Sequence, residues 1–166
     1  MPTQTSTRPE FRAARALGLD FPGGGHQPSA VRWVVATVAA VVGSLVACAA
    51  LAALGVAMFP ATAGYEHFRF ADYAKLTIIG VVLACLAWPI VTWFSTRAWK
   101  PFLVLTVLVT LGGLAPDAWI LYKGQPADAV GVLVVMHLAL AVVTYPALVF
   151  IAPQRKSEKP ALPPRR

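Results

Sequence analysis

Charged side chains are scarce in this sequence, at 13% of 166 residues. Soluble proteins carry roughly 25%. Acids are the scarcer sign, seven against fourteen Lys and Arg. No two acids share an apolar stretch, so a paired-carboxylate mechanism has no place to sit inside one. There are two cysteines, Cys48 and Cys85, and no Cys-x-x-Cys motif, which removes the usual dithiol redox centre. They are read as small apolar thiols inside the protein. No phosphate-binding glycine loop and no nucleophile elbow occurs. No internal repeat supports an inverted-repeat transporter. The apolar runs do not alternate, which excludes a membrane β-barrel. An enzyme acting on lipids would have to rest on Asp117, His137, Glu66 and His67 alone, so no catalytic residue, metal or cofactor is expected. One Asp and one His fall short of the three or four ligands of a metal site.

Long apolar stretches dominate the rest. Four of them run from about residue 31 to 59, 76 to 94, 102 to 122 and 130 to 151. Each can cross a hydrocarbon core of ~30 Å at ~1.5 Å per helical residue. A soluble domain of this size could not bury so much apolar surface. In lipid the backbone must satisfy itself, so each stretch should be a helix. The expected fold class is all-α, an integral membrane four-helix bundle over residues 31–152. It is flanked by a flexible basic segment at 1–30 and a disordered basic tail at 153–166.

The net charge of +7 does not point to nucleic acid, because the basic residues flank the spans. Arg8, Arg12, Arg15, Arg32, Arg97, Lys100, Arg155, Lys156, Lys159, Arg165 and Arg166 fall on one side of a four-span topology. Arg69, Lys75 and Lys123 fall on the other. The positive-inside rule then places both termini in the cytoplasm of a multi-pass protein of a bacterial inner (plasma) membrane.

The first span is too long for a signal core and its charged leader is too long for a signal peptide. Leu45-Val46-Ala47-Cys48 resembles a lipoprotein cleavage box, but mostly apolar residues continue to Phe59. An uncleaved signal-anchor fits better. Residues Phe11 to Leu17 form either a basic amphipathic turn on the membrane surface or part of a disordered tail. The C-terminal tail, with four prolines and five basic residues, should be attracted to anionic headgroups.

Span one carries Ala36, Ala40, Gly43, Ala47 and Ala50 in steps of three and four, which sets a small-residue face for close helix approach. The alternative is that abundant alanine produces such a face by composition alone. Pro89, Pro116 and Pro146 interrupt spans two, three and four, and each favours a kink. Gly112-Gly113 before Pro116 marks the weakest helical stretch.

Two ionisable residues fall within apolar runs. Asp117 lies about 9 Å and His137 about 10 Å below the outer face, counted at the helical rise. Their helices are consecutive and antiparallel, so the two side chains are within reach. Intramembrane ionisable residues are functional candidates by default. Three readings stay open: a structural lock between two helices, a proton or ligand site, and no contact. The outer joint supplies a second set of candidates for interaction: Tyr65, Glu66, His67, Phe68, Arg69, Phe70, Asp72 and Tyr73. Its four aromatics mixed with charges suit the headgroup zone. Asp72 suits the positive end of the second helix.

The segment from Gly64 to Thr77 resembles the outer loop of a family of small actinobacterial four-helix membrane proteins. So do Pro116-Asp117 before Gly124-Gln125-Pro126, and Met136-His137-Leu138. The resemblance covers about residues 31 to 153. That family includes accessory subunits of mammalian-cell-entry (Mce) type lipid importers of the mycobacterial cell envelope. The resemblance implies a non-catalytic bundle docked beside a permease-type integral membrane subunit, and it carries over no catalytic residues. The expected partners are such subunits and membrane lipids, with no small-molecule substrate assigned. The competing expectation is a small oligomeric transporter or channel using Asp117 and His137.

Overall fold

A computed structural model describes residues 18–21 and 26–155. The stretch from Phe11 to Leu17 and the tail from 156 onward lie outside the described residues. Among the described residues every regular element is helical. Helix α1 spans Ala30–Met58, α2 Phe70–Phe94, α3 Trp99–Tyr122 and α4 Ala127–Pro146, with a π-helical turn at Ala147–Ile151. All four are long and apolar enough to cross a membrane. They alternate in direction, and Arg155 N–H donates to the His26 carbonyl at 3.1 Å. Both described ends of the chain therefore share one end of the bundle, here the terminal end.

Three helices begin before the apolar runs do. Helix α2 starts six residues before Leu76, and α3 and α4 each start three residues early. Backbone hydrogen bonding, and not side-chain polarity, fixes where a helix begins. Asp72 therefore sits in the first turn of α2, with Lys75 3.3 Å away at i+3. Ser29 caps α1 by accepting from Arg32 N–H. The end of α3 is set by glycine. Gly124 adopts φ +86°, and the Gly124 and Gln125 N–H groups reach back to the carbonyls of Leu121 and Ile120. That is a Schellman closure, which needs a left-handed residue at this position.

Helix α1 is central and packs on both α2 and α4, while α3 packs on α4 and barely meets α2. The buried stripe of α1 is Ala36, Ala40, Ser44, Cys48, Ala52 and Gly55. It shares Ala36 and Ala40 with the face expected from sequence. Gly43 and Ala47 are half-buried beside it, and Ala50 is exposed. The reason is geometric. A run of four-residue steps drifts around a helix of 3.6 residues per turn, so the stripe winds from one neighbour to the next. Glycine sets the closest approach: a Cβ on Gly55 would lie 2.8 Å from Val132 Cγ2.

Polar contacts between spans are few and specific. Pro89 cannot donate to the carbonyl of Cys85, and the Trp33 indole N–H of α1 donates to that carbonyl at 2.8 Å. The proline interruption is thereby turned into an α1–α2 link. Cys48 Sγ lies 3.7 Å from Thr77 Oγ1, and Ser44 Oγ lies 3.5 Å from Thr144 Oγ1. Cys48 and Cys85 are both buried free thiols, and Cys48 sits within unbroken α1.

The expectation of flexible flanks does not extend to residues 18–21, 26–29 and 153–155. Asp20 and Phe21 N–H groups donate to the Phe94 carbonyl at 3.2 and 3.0 Å. Asp20 accepts from Thr96 N–H at 2.7 Å and from the Thr96 hydroxyl. The Thr96 hydroxyl, followed by its backbone N–H, holds the Asp20 carboxyl below its ordinary range. Gln154 accepts from Ala98 N–H and donates to the Ser95 carbonyl. The free carbonyls ending α2 and the free amides opening α3 need partners, and the flanks provide them.

Candidate functional site

Because α2 and α3 barely meet, a cleft of about 610 Å³ runs between them, with α4 as its back wall. That volume falls within the range of small-molecule sites, ~300–1,000 Å³. Its floor lies at the terminal end. There the Trp88 and Phe102 rings meet edge-to-face at 5.0 Å, and Phe102 stacks on Tyr145 at 5.8 Å. Tyr145 OH donates to the Trp99 carbonyl at 3.1 Å. These aromatics tie α2, α3 and α4 together at one end only. Trp88 is 1% exposed, and its indole N–H donates to the Ala152 carbonyl at 2.9 Å, closing the π-helical turn.

The walls are apolar, from Leu76, Gly80 and Ala84 on α2 to Leu105, Val109 and Gly113 on α3. The carboxyl and imidazole groups gather at the opposite end from the floor, Asp117, His137, His67 and Asp72 with the Tyr73 phenol, while the hydroxyls of Thr77, Thr106, Thr110 and Thr144 are spaced along the cleft. Asp117 and His137 do meet. His137 Nδ1 lies 2.9 Å from Asp117 Oδ2 and 3.1 Å from the Leu133 carbonyl oxygen. With an acceptor on two sides, Nδ1 must carry the proton. The aligned hydrogen bond runs to Leu133, and Asp117 Oδ2 is left buried with no aligned donor. The Asp117 side chain is 7% exposed and that of His137 34%. Gly113 makes room for the imidazole, since a Cβ there would sit 3.1 Å from His137 Cδ2. The site can thus accept hydrogen bonds at Asp117 Oδ2 and, for a neutral imidazole, at His137 Nε2.

The outer-joint candidates divide. Phe68 and Tyr73 turn inward onto Cys48, Ala52 and Met136. Glu66, Arg69 and Phe70 are exposed. Glu66 Oε1 approaches His67 Nε2 at 3.7 Å, although neighbours in an extended chain would diverge. The short 3₁₀ turn Glu66–Phe68 allows it. Tyr65 packs edge-on against His67 and Phe68, and its hydroxyl is buried without a partner. Burial raises the Tyr65 phenol above its ordinary pKa, with Glu66 and Asp117 adding to the effect. Among the described residues no group of three or more His, Cys, Asp or Glu side chains could hold a metal ion.

Sequence reading missed Trp33, Trp88 and Gly80. The first two act through partners more than fifty positions away, and the cleft beside Gly80 exists only because two helices diverge. Compared with protein-family models, with curated proteins and with solved structures, the chain matches none.

Proposed function

We propose that this protein is a non-catalytic accessory subunit of a larger membrane assembly, of the lipid-import type in a bacterial cell envelope. It would lie in the plasma membrane with both chain ends cytoplasmic. The observation that carries the reading is α3. Only Phe102 and Asp117 are buried along its length, and it has one close neighbour. Lipid tails are as apolar as leucine, so helix association in a bilayer needs close packing. A helix held along one side alone is an incomplete packing unit. Its face opposite the cleft presents Val104, Val107, Leu108, Leu111, Trp119 and Tyr122, all exposed. Eleven basic residues on the terminal side against three on the other support the orientation.

Purification in mild detergent should recover larger integral membrane chains with the wild type. Leu108→Trp/Leu111→Trp, which reshapes that face, should lose them while still purifying as a folded bundle. Recovery of the wild type alone across several mild detergents would overturn the reading, as would unchanged capture by the double variant.

The 2.9 Å Asp117–His137 approach favours a second reading, a small oligomeric transporter or channel. In that case proteoliposome flux should fall by an order of magnitude or more in Asp117→Asn and His137→Ala. Flux that survives both substitutions excludes the pair as the conducting element.

A further inference from the structure

The cleft between α2 and α3 has one closed aromatic end, apolar walls and one polar end. We propose that it is a binding site for a single amphiphile with one long apolar tail and a small, uncharged, hydroxyl-bearing head. The tail would run toward the Phe102–Tyr145 floor, and the head would sit at Asp117 and His137.

Four observations select this ligand class. The apolar stretch of this cleft of about 610 Å³, between Leu76, Gly80 and Ala84 on one side and Leu105 and Val109 on the other, offers water few partners. It opens sideways between helices whose surroundings are hydrocarbon, so entry is from the bilayer. Asp117 Oδ2 is buried, lines the cleft and has no aligned donor. Such an orphan acceptor costs free energy that an O–H donor would recover. His137 Nε2 of a neutral imidazole, whose Nδ1 proton is directed to the Leu133 carbonyl, provides a second acceptor nearby. Two acceptors at one end match a head with two hydroxyl donors.

Charge and depth exclude the common alternatives. A fatty-acid carboxylate or an anionic phospholipid beside Asp117 in its carboxylate form would set two like charges together in a buried site. The head position lies about 9 Å inside the level of Lys123 at the helical rise. A bulky phosphodiester head would have to leave the headgroup level and fit between the helices to reach Asp117, whereas a glycerol head needs only its hydrogen bonds.

This site is separate from the outer face of α3 assigned to a partner subunit. The experiment uses the full chain in detergent micelles with monooleoylglycerol as probe, and reads one-to-one adducts by native mass spectrometry. Oleate and dioleoylphosphatidylglycerol serve as comparisons. Wild type should retain one monooleoylglycerol in preference to either comparison lipid. Asp117→Leu removes the buried acceptor, and loss of such a bond weakens binding by about tenfold or more. Gly80→Phe should weaken it at least as much. A Cβ there meets nothing within 4 Å and Gly80 lines the cleft, so this variant is expected to fill the cleft and still purify as a folded bundle. It should also leave partner capture intact, which separates failure here from failure of the subunit reading. Equal retention in wild type and Gly80→Phe would reduce the lipid to a surface annulus and overturn the proposal. Preference for oleate, or unchanged binding in Asp117→Leu, would overturn the assignment of the head.

Discussion

Trp88→Ala should destabilise the bundle by about 3 kcal/mol, toward the low end of the range for deleting a buried aromatic. The low end applies because the unfolded reference in a membrane is an inserted helix already in apolar solvent, so the transfer part of the loss shrinks. What remains is packing and one hydrogen bond. Trp88 is among the largest fully buried side chains, lies edge-on to Phe102, and donates to the Ala152 carbonyl. Its removal leaves a gap behind Phe102, which lines the floor of the cleft, and frees the turn that ends α4. Trp88→Phe keeps most of the volume and loses the N–H, so about 1 kcal/mol is expected. Unfolding in mixed micelles with increasing denaturing detergent measures both. A Trp88→Ala chain within about 0.5 kcal/mol of wild type, the usual surface effect, would show that the aromatic floor does not hold the helices together.

Gly55→Leu should separate α1 from α4 at the end opposite the termini, at a cost of about 2–3 kcal/mol. Even a bare Cβ at this position meets Val132 at 2.8 and 3.1 Å. Val132 cannot swing aside cheaply, because a β-branched side chain in a helix has essentially one χ1 rotamer. Overpacking of this kind costs about 1–3 kcal/mol. Gly55→Ala tests the same contact with the smallest probe, and there the gain of about 1 kcal/mol in helix propensity works against the clash. Val132→Ala in the Gly55→Leu background should restore most of the stability, since it removes the atoms that collide. Gly80→Ala, which meets nothing within 4 Å, should be neutral or slightly stabilising. If Gly55→Leu and Gly80→Ala melted alike, the close approach of α1 and α4 would be wrong.

Both predictions concern the two ends that hold the helices apart as much as together. The aromatic floor pins α2, α3 and α4 at the terminal end. The α1–α4 contact at Gly55 holds the far end of α1 against the back wall of the cleft. Between them α2 and α3 diverge, and the polar groups of the site collect where the gap is open.

Composition and pattern alone determined the solvent and the architecture. Few charges, four long apolar runs and basic flanks leave only transmembrane helices, because hydrocarbon offers the backbone no partner but itself. Asp117 and His137 were also legible, since ionisable residues stand out in apolar runs and depth counting brings them level. Tertiary structure decided the rest. Nothing in the spacing around Pro89 says that Trp33 will satisfy the carbonyl it frees. The buried stripe of α1 turned toward Ser44, Cys48 and Ala52 and left Ala50 exposed, because which small residues are covered depends on how neighbouring helices cross. The cleft has no sequence signature, because its walls read like any lipid-facing residues. It arises from the distance between two helices, and that distance is set by side chains packing elsewhere in the bundle.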